Sequence, residues 1–164
     1  MRYTVIDFET TGLDPLHDEV IEYAAVRVHD GEIGLYITSL CRPSQMISPK
    51  ITQITGITNE MTRNCHPFAD HLHALLGFIG NDTIVAHNAP FDMGFLDAYC
   101  RHEGVRFAPS VLCTLAQSRL KYKHLPNHKL QTVAEYVNAA SGSYHRALGD
   151  AMATAGILLK LLSK

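Results

Sequence analysis

The sequence has no uninterrupted apolar stretch close to the roughly 20 residues that cross a bilayer. Its first ten residues carry Asp7 and Glu9 within a broken apolar run, a pattern that fits neither a secretory signal nor a transit peptide. The 4 cysteines are far apart and show no C-x-x-C spacing, which argues against a disulfide framework and a cysteine-rich zinc site. These absences predict a cytoplasmic protein with free thiols and no membrane association.

Histidine is abundant, with 10 residues, and one group of them suggests a zinc site. Cys65 and His66 are followed closely by His71 and His73. The last two are two positions apart on a predicted helix and would not share a face, so we disfavour zinc binding here.

Acidic residues are absent between Glu103 and Glu135, although the net charge of the chain is only -2. The same stretch contains Arg106, Arg119, Lys121, Lys123 and Lys129, with His124 and His128 alongside. Such a stretch could line a track for a phosphate backbone. A solvated basic face without a ligand explains the charge equally well.

The length of 164 residues and the apolar content of 46% predict one compact domain spanning residues 1–164. Strand-like runs cover residues 3–8, 20–28 and 33–41, and Asp30-Gly31 between the last two is a hairpin signal. Alternating helices and short strands follow. The sequence therefore predicts an α/β fold with a mixed sheet flanked by helices. The further helices are expected at 49–54, 59–63, 67–78, 91–102, 114–120, 129–138 and 147–162, with strands at 83–86 and near 111.

Two acids end the first predicted strand. Because strand side chains alternate, Val5, Asp7 and Glu9 point to one face. Acids at strand ends also simply meet solvent, so this pair alone does not define a site.

A third acid, Asp150, is the only charged residue between positions 147 and 159 of the last predicted helix. The apolar residues of this helix occupy all of its faces and do not form a single stripe, so the helix should be largely buried. A bare carboxylate there would cost several kcal/mol, and the nearby cation, Arg146, lies on the other side of the helix start. A bound metal ion is the better explanation.

Asp92 stands where a predicted strand gives way to a helix, a position that the helix dipole alone favours for an acid. Together with Asp7, Glu9 and Asp150 it can converge only at one end of the sheet. Four oxygen ligands without a thiolate favour two Mg²⁺ or Mn²⁺ ions, the arrangement used for in-line attack on phosphodiesters. Such hydrolysis also needs a base, and His145 lies close enough in sequence to supply an imidazole. A surface histidine near a helix start is the alternative.

These segments resemble the motifs of the DEDD exonucleases in their histidine branch, the DnaQ-like family that includes polymerase proofreading domains. The resemblance covers nearly the whole chain, with motifs at residues 7–13, 85–92 and 145–150 and accessory segments at 54–58 and 127–130. In the tyrosine branch the base would stand at position 146, which is Arg146 here. The resemblance implies a ribonuclease H-like fold and stepwise removal of nucleotides from a 3′ end.

The resemblance also implies residue roles. Asp7 would bridge both metal ions, Glu9 and Asp150 would complete the water-bearing site, Asp92 would serve the second ion, and His145 would be the general base. The substrate would be a single-stranded or frayed 3′ end of DNA, with a DNA polymerase as partner. The terminal nucleotide would be bound by Thr10, Thr11, Gly12, Leu13, Thr55 and Phe91, with Leu13 as a wedge and Phe91 near the sugar and base. Leu13 and Phe91 could equally be ordinary core residues.

Two positions depart from the family pattern. Thr55 stands where many relatives carry a histidine that contacts the substrate, and Cys113 precedes Thr114 where polymerase-associated members often have an acid. The same catalytic residues would serve an exoribonuclease or oligoribonuclease. A catalytically silent nucleic-acid-binding module is a further alternative, against which the intact set of five residues argues.

Overall fold

The computed structural model describes residues 1–140 and 144–163. It contains five strands and seven helices in these two ranges, and their bounds lie within a few residues of the predicted ones. None of these helices combines the length and the apolar character needed to span a membrane. The strands are β1 (Arg2–Thr10), β2 (Val20–His29), β3 (Glu32–Leu40), β4 (Thr83–Ala86) and β5 (Val111–Cys113); the helices are α1 (Pro49–Thr55), α2 (Asn59–Thr62), α3 (Phe68–Ile79), α4 (Ala89–His102), α5 (Thr114–Lys121), α6 (Leu130–Tyr136) and α7 (Ala147–Leu162).

The five strands form one mixed sheet in the order β3-β2-β1-β4-β5. Strand β1 is central, antiparallel to β2 and parallel to β4, while β2 and β3 are antiparallel and β4 and β5 are parallel. The predicted α/β, ribonuclease H-like mixed sheet is therefore confirmed. Because β1 and β4 run in the same direction, the residues that follow both strands meet at one edge of the sheet.

The predicted hairpin between β2 and β3 is confirmed at Asp30 and Gly31. Their φ angles are 51° and 87°, so both central residues of the two-residue loop have a left-handed backbone. This is the turn geometry that matches the twist of antiparallel strands, and Asp-Gly adopts it readily.

The alternation of side chains along β1 divides the core into two layers. Ile6 and Phe8 face one way, into a cluster that includes Phe68 of α3 and Phe95 of α4. Val5 faces the other way, into a cluster built with α7. Asp7 and Glu9 share the face of Val5, so the fold directs both carboxylates toward α7.

A buried polar network links the strands at the end of the sheet opposite to Asp7 and Glu9. The Asp82 carboxylate accepts from the Thr4 hydroxyl at 2.9 Å, and its oxygens lie 2.8 Å from His29 Nε2 and 3.1 Å from Arg2 Nε. Burial raises the pKa of Asp82, but the hydrogen bonds from His29 and Thr4 and the charges of His29 and Arg2 outweigh it and lower the pKa. Ionised Asp82 therefore joins β1, β2 and the start of β4.

We expect Asp82→Asn to lower the free energy of unfolding at neutral pH by about 1.5–3 kcal/mol, the range for hydrogen bonds to a charged group. Because the folded-state pKa of Asp82 lies below its unfolded value, the stabilisation is present above the unfolded pKa and is lost as pH falls through the folded one. Urea unfolding of wild type and variant across acidic and neutral pH measures this. Asp30→Asn in the exposed hairpin is the control, and a pH-independent difference between wild type and Asp82→Asn would contradict the prediction.

Candidate active site

Three of the predicted acids meet where β1 ends against the start of α7. Oxygen atoms from Asp7, Glu9 and Asp150 all lie within 4.8 Å of one another. Alternation along β1 supplies the first two carboxylates, and the first turn of α7 supplies the third. The pairing of strand and helix thus creates a compact set of hard oxygen ligands.

The two carboxylate oxygens of Asp150 differ in their hydrogen bonding. Its Oδ2 accepts the backbone N–H of His145 at 3.0 Å. Its Oδ1 is buried and has no hydrogen-bond partner among the residues that the structure describes. A buried acceptor without a donor is costly, and a cation held beside Asp7 and Glu9 would satisfy it.

Asp92 lies next to this cluster but outside the group of three. It is buried in the first turn of α4, and its Oδ1 accepts the backbone N–H of Phe8 at 3.0 Å. Its charge is nevertheless among the causes that raise the pKa of Asp7. Asp92 therefore joins α4 to β1 and brings a fourth carboxylate to the same edge of the sheet.

Burial is the largest cause of the shifted acidities in this cluster. It raises the pKa of Asp7 well above its usual range, with further increases from the charges of Asp92, Asp150 and Glu9. Burial raises the pKa of Glu9 to about 8. It also raises the pKa of Asp92 to about 8, although the hydrogen bond from the Phe8 N–H acts in the opposite direction. For Asp150 burial raises the pKa to about 6, although the backbone and charge of His145 lower it. A bound cation would favour the ionised carboxylates.

His145 lies just before α7 with an exposed side chain. Its φ of 62° is unusual for a residue other than glycine. The hydrogen bond from its N–H to Asp150 fixes this backbone, and the charge of the ring is felt at Asp150. The structure thus places an accessible imidazole beside the acidic cluster.

Sequence reasoning missed Glu22, which binds Arg146. Arg146 Nη2 lies 2.6 Å from Glu22 Oε1, and Arg146 Nε lies 3.0 Å from Glu22 Oε2. Glu22 is the only charged residue in the apolar run from Val20 to Val26 of β2. A lone acid in a buried strand is the same signal that identified Asp150 in α7, and it could have been applied here.

A cleft of about 410 Å³ opens beside Glu9. All six residues predicted to bind substrate line it. The segment around α1 contributes a wall of which sequence reasoning foresaw only Thr55, because only the tertiary fold brings the rest of that segment to the end of β1. The lining residues are Phe8, Glu9, Thr10, Thr11, Gly12, Leu13, Ser48, Lys50, Ile51, Ile54, Thr55 and Phe91.

The threonine hydroxyls in this cleft donate within the protein. Thr10 Oγ1 donates to the carbonyl of Gly12, Thr11 Oγ1 to Asp18, and Thr55 Oγ1 to the carbonyl of Ile51. They therefore shape the cleft more than they offer protons to a ligand.

Gly12 and Leu13 form the tip of the cleft wall. A Cβ atom on Gly12 would collide with the carboxylate of Asp18, so another residue there would displace that carboxylate from its hydrogen bonds with Thr11 and Asp14. Leu13, which follows it, is 83% exposed, unlike a core residue. The ordinary core explanation of Leu13 is therefore wrong.

A larger cavity of about 620 Å³ lies along α3 and α4, lined by Leu16, Phe68 and Tyr99 among others. None of the clustered acids Asp7, Glu9 and Asp150 lines it. We place the candidate active site in the smaller cleft, because Glu9 belongs to both the cleft and the cluster.

The disfavoured zinc site gains no support from the structure. In the ranges 1–140 and 144–163, Asp7, Glu9 and Asp150 form the only group of three or more ligand-type side chains close enough to share an ion. His66 instead lies 3.3 Å from Asp70, and His71 lies 3.4 Å from the Tyr23 hydroxyl.

The basic stretch is only partly available for a ligand. Lys121 Nζ donates to backbone carbonyls at the end of α7, including that of Lys160 at 3.0 Å. Lys121 thus caps a helix. Arg119, Lys123 and Lys129 are exposed.

Comparison with known proteins identifies relatives over nearly the whole chain. A family model described as Exonuclease (RNase T) matches residues 4–158. DNA polymerase III PolC-type of Bacillus subtilis is 40% identical over 162 residues, and its Thermotoga maritima counterpart is 40% identical over 161. These alignments cover 98% of this chain but only 11% and 12% of the relatives, so the chain spans about a tenth of their length.

Solved structures share the fold. Exonuclease X, in complex with 5′ overhanging duplex DNA, is 26% identical with a TM-score of 0.78, covering 98% of this chain and 90% of that one. The nuclease domain of 3′hExo, described as a DEDDh family member bound to rAMP, has a TM-score of 0.82 at 21% identity and covers 98% and 91%.

We expect Asp7→Asn to raise the stability of the metal-free protein by about 1–2 kcal/mol at neutral pH. The folded-state pKa of Asp7 lies above its unfolded value, so its contribution to stability is greatest in acid and is lost as pH rises. Asn is a neutral isostere of Asp and does not ionise, so the variant does not lose stability at this position as pH rises. Thermal unfolding in EDTA should show a higher Tm, by about 2–4 °C per kcal/mol.

The same variant should lose the response to divalent cations. Mn²⁺ at about a hundred times its Kd would stabilise the wild type by about 2.7 kcal/mol, and Asp7→Asn should show little of this shift. Asp97→Asn, on α4 outside the cluster, is the control. An unchanged Mn²⁺ response in Asp7→Asn would contradict the assigned site.

Proposed function

This chain belongs to the RNase T exonuclease family, and from that premise we propose that it removes nucleotides stepwise from the 3′ ends of DNA. The family match over residues 4–158 confirms the exonuclease identity inferred from the motifs, which are those of the DEDDh, DnaQ-like branch. We further propose that residues 1–164 form one exonuclease domain. By analogy with the PolC-type relatives, it would proofread or repair DNA with a polymerase as partner.

One observation carries the proposal: Asp7, Glu9 and Asp150 converge beside a cleft, and a buried oxygen of Asp150 lacks a donor. When bound, two Mg²⁺ or Mn²⁺ ions would neutralise phosphate charge and promote the ionisation of water. Asp7, Glu9 and Asp150 would hold the first ion, and Asp7 with Asp92 the second. Their hard oxygen donors suit these cations.

We assign the general base to His145. It is the exposed histidine beside Asp150, and its backbone is held by that same carboxylate. Its imidazole would accept the proton of the attacking water, a role that contributes typically about 10²–10⁴-fold to rate. The carboxylates would remain available to the cations.

The cleft beside Glu9 would hold the terminal nucleotide. Leu13 and Phe91 offer apolar surfaces on its walls, and the threonine hydroxyls donate to internal acceptors. Recognition by stacking and shape is independent of base identity. A single strand or a frayed end would fit such a cleft because its last base is unpaired.

RNA is the second candidate substrate. The solved structure of 3′hExo, bound to rAMP, shares this fold. The PolC-type relatives and the DNA complex of exonuclease X favour DNA.

We expect His145→Ala to lower kcat by about 10²–10⁴-fold, because the water loses its proton acceptor. Asp7→Asn should abolish activity. Release of mononucleotides from 3′-labelled single-stranded DNA, mismatched duplex and RNA, with Mg²⁺ or with EDTA, measures both effects.

His102→Ala, an exposed histidine away from the cluster, is the control and should retain wild-type rates. A 3′ phosphate on the substrate should block release and so establish polarity. Activity that survives Asp7→Asn or EDTA would refute the proposed chemistry, and faster release from RNA would move the assignment to an exoribonuclease.

We expect Leu13→Ala to weaken use of mismatched duplex more than use of single strands, because the wedge that separates the last base is shortened. Leu16→Ala is the matched control: it lies in the same loop, is 75% exposed and lines the other cavity. The measurement is kcat/KM on both substrates. Equal losses from the two variants would contradict a wedge at Leu13.

A further inference from the structure

We propose that Glu22 and Arg146 are positioning residues that set the direction of the His145 imidazole. The inference rests on the proposed function of His145 and deepens it. Glu22 lies on β2, and Arg146 immediately follows His145 in the chain. The two residues are 124 positions apart in sequence, so their contact joins β2 to the segment that carries His145.

The contact between the two side chains is bidentate. Arg146 Nε and Nη2 both donate to the Glu22 carboxylate, at 3.0 Å and 2.6 Å for the shortest bond of each. The Glu22 side chain is 6% exposed. Two parallel hydrogen bonds on a buried carboxylate restrict the guanidinium to one orientation.

Glu22 also holds the backbone at the start of α7. Its Oε2 accepts the N–H of Ala147 at 2.9 Å. This first-turn amide has no partner within the helix, and Arg146, at the N-cap, makes no side-chain capping bond. The Glu22 carboxylate therefore replaces the missing N-cap side chain, and the position of the start of α7 depends on β2.

His145 lies between two fixed points. Glu22 holds Arg146 and Ala147 after it, and Asp150 Oδ2 accepts its own N–H. Its φ of 62° is a conformation that persists only where the surroundings enforce it. Release of the pair would let this backbone relax and turn the ring away.

The charge of Arg146 neutralises that of Glu22 beside the acidic cluster. Glu22 lies directly opposite Glu9 in the β1–β2 register, and like charges in that relation are destabilising. The charge of Arg146 lowers the pKa of Glu9, against the larger effect of burial. Loss of Arg146 alone would leave an unpaired carboxylate beside the cluster, so both residues must be neutralised together in a clean test.

The test is a comparison of kinetic constants in two backgrounds. We expect Glu22→Gln/Arg146→Gln to lower kcat by about 10- to 100-fold with little change in KM, the effect of displacing a catalytic group by about 1 Å. In a His145→Ala background the same double substitution should lower kcat by less than about twofold, because the group it positions is already gone. Glu60→Gln/Arg63→Gln, which removes an exposed ion pair of α2, is the control.

A purely structural role would instead lower kcat by the same factor in both backgrounds, and that result would overturn the inference while leaving the proposed function intact. Wild-type kcat in the double variant would overturn it as well. Unchanged kcat in His145→Ala would refute the general base itself, and the role of the pair with it.

Arg146→Lys keeps the charge and provides a milder probe should the double variant fail to fold. It should lower kcat without changing KM in the wild-type background, and should have no further effect in His145→Ala. An equal loss of kcat in both backgrounds would again count against positioning.

Discussion

The burial of mutually repelling carboxylates is the constraint on which the rest of the site depends. Oxygen atoms of Asp7, Glu9 and Asp150 are brought within 4.8 Å of one another, and burial and neighbouring charge raise the pKa values of these residues. The packing of β1 against α7 must supply the free energy that holds them together. The core of small alanines on α7 allows that close approach, so the hydrophobic layer and the acidic cluster are two results of one packing arrangement.

Two parts of the site are restrained by a carboxylate from a distant part of the chain. Asp92 on α4 accepts from the backbone of β1, and Glu22 on β2 accepts from the start of α7. In both cases a carboxylate binds a backbone amide, and Glu22 binds the Arg146 side chain as well. The geometry of the site is therefore tied to the regular elements of the fold, which hold a site more precisely than loops do.

Much of this could be predicted from the sequence because the signals were local. Alternation placed Asp7 and Glu9 on one face, the apolar surroundings of Asp150 indicated burial, and Asp30-Gly31 specified a hairpin. Of the cleft wall from α1, the family resemblance implied only Thr55, since the approach of the rest of that segment to β1 depends on tertiary packing. Glu22 carried a readable signal, but its pairing with Arg146 required knowledge of which helix covers β2.

The turn that carries Leu13 has a consequence for the thermodynamics of binding. Asp18 fills the space beside Gly12 and accepts from Thr11, while Thr10 closes onto the carbonyl of Gly12. The loop is thus already ordered in the free protein. A ligand that enters the cleft need not offset the conformational entropy of folding this loop, so more of its contact energy remains as affinity.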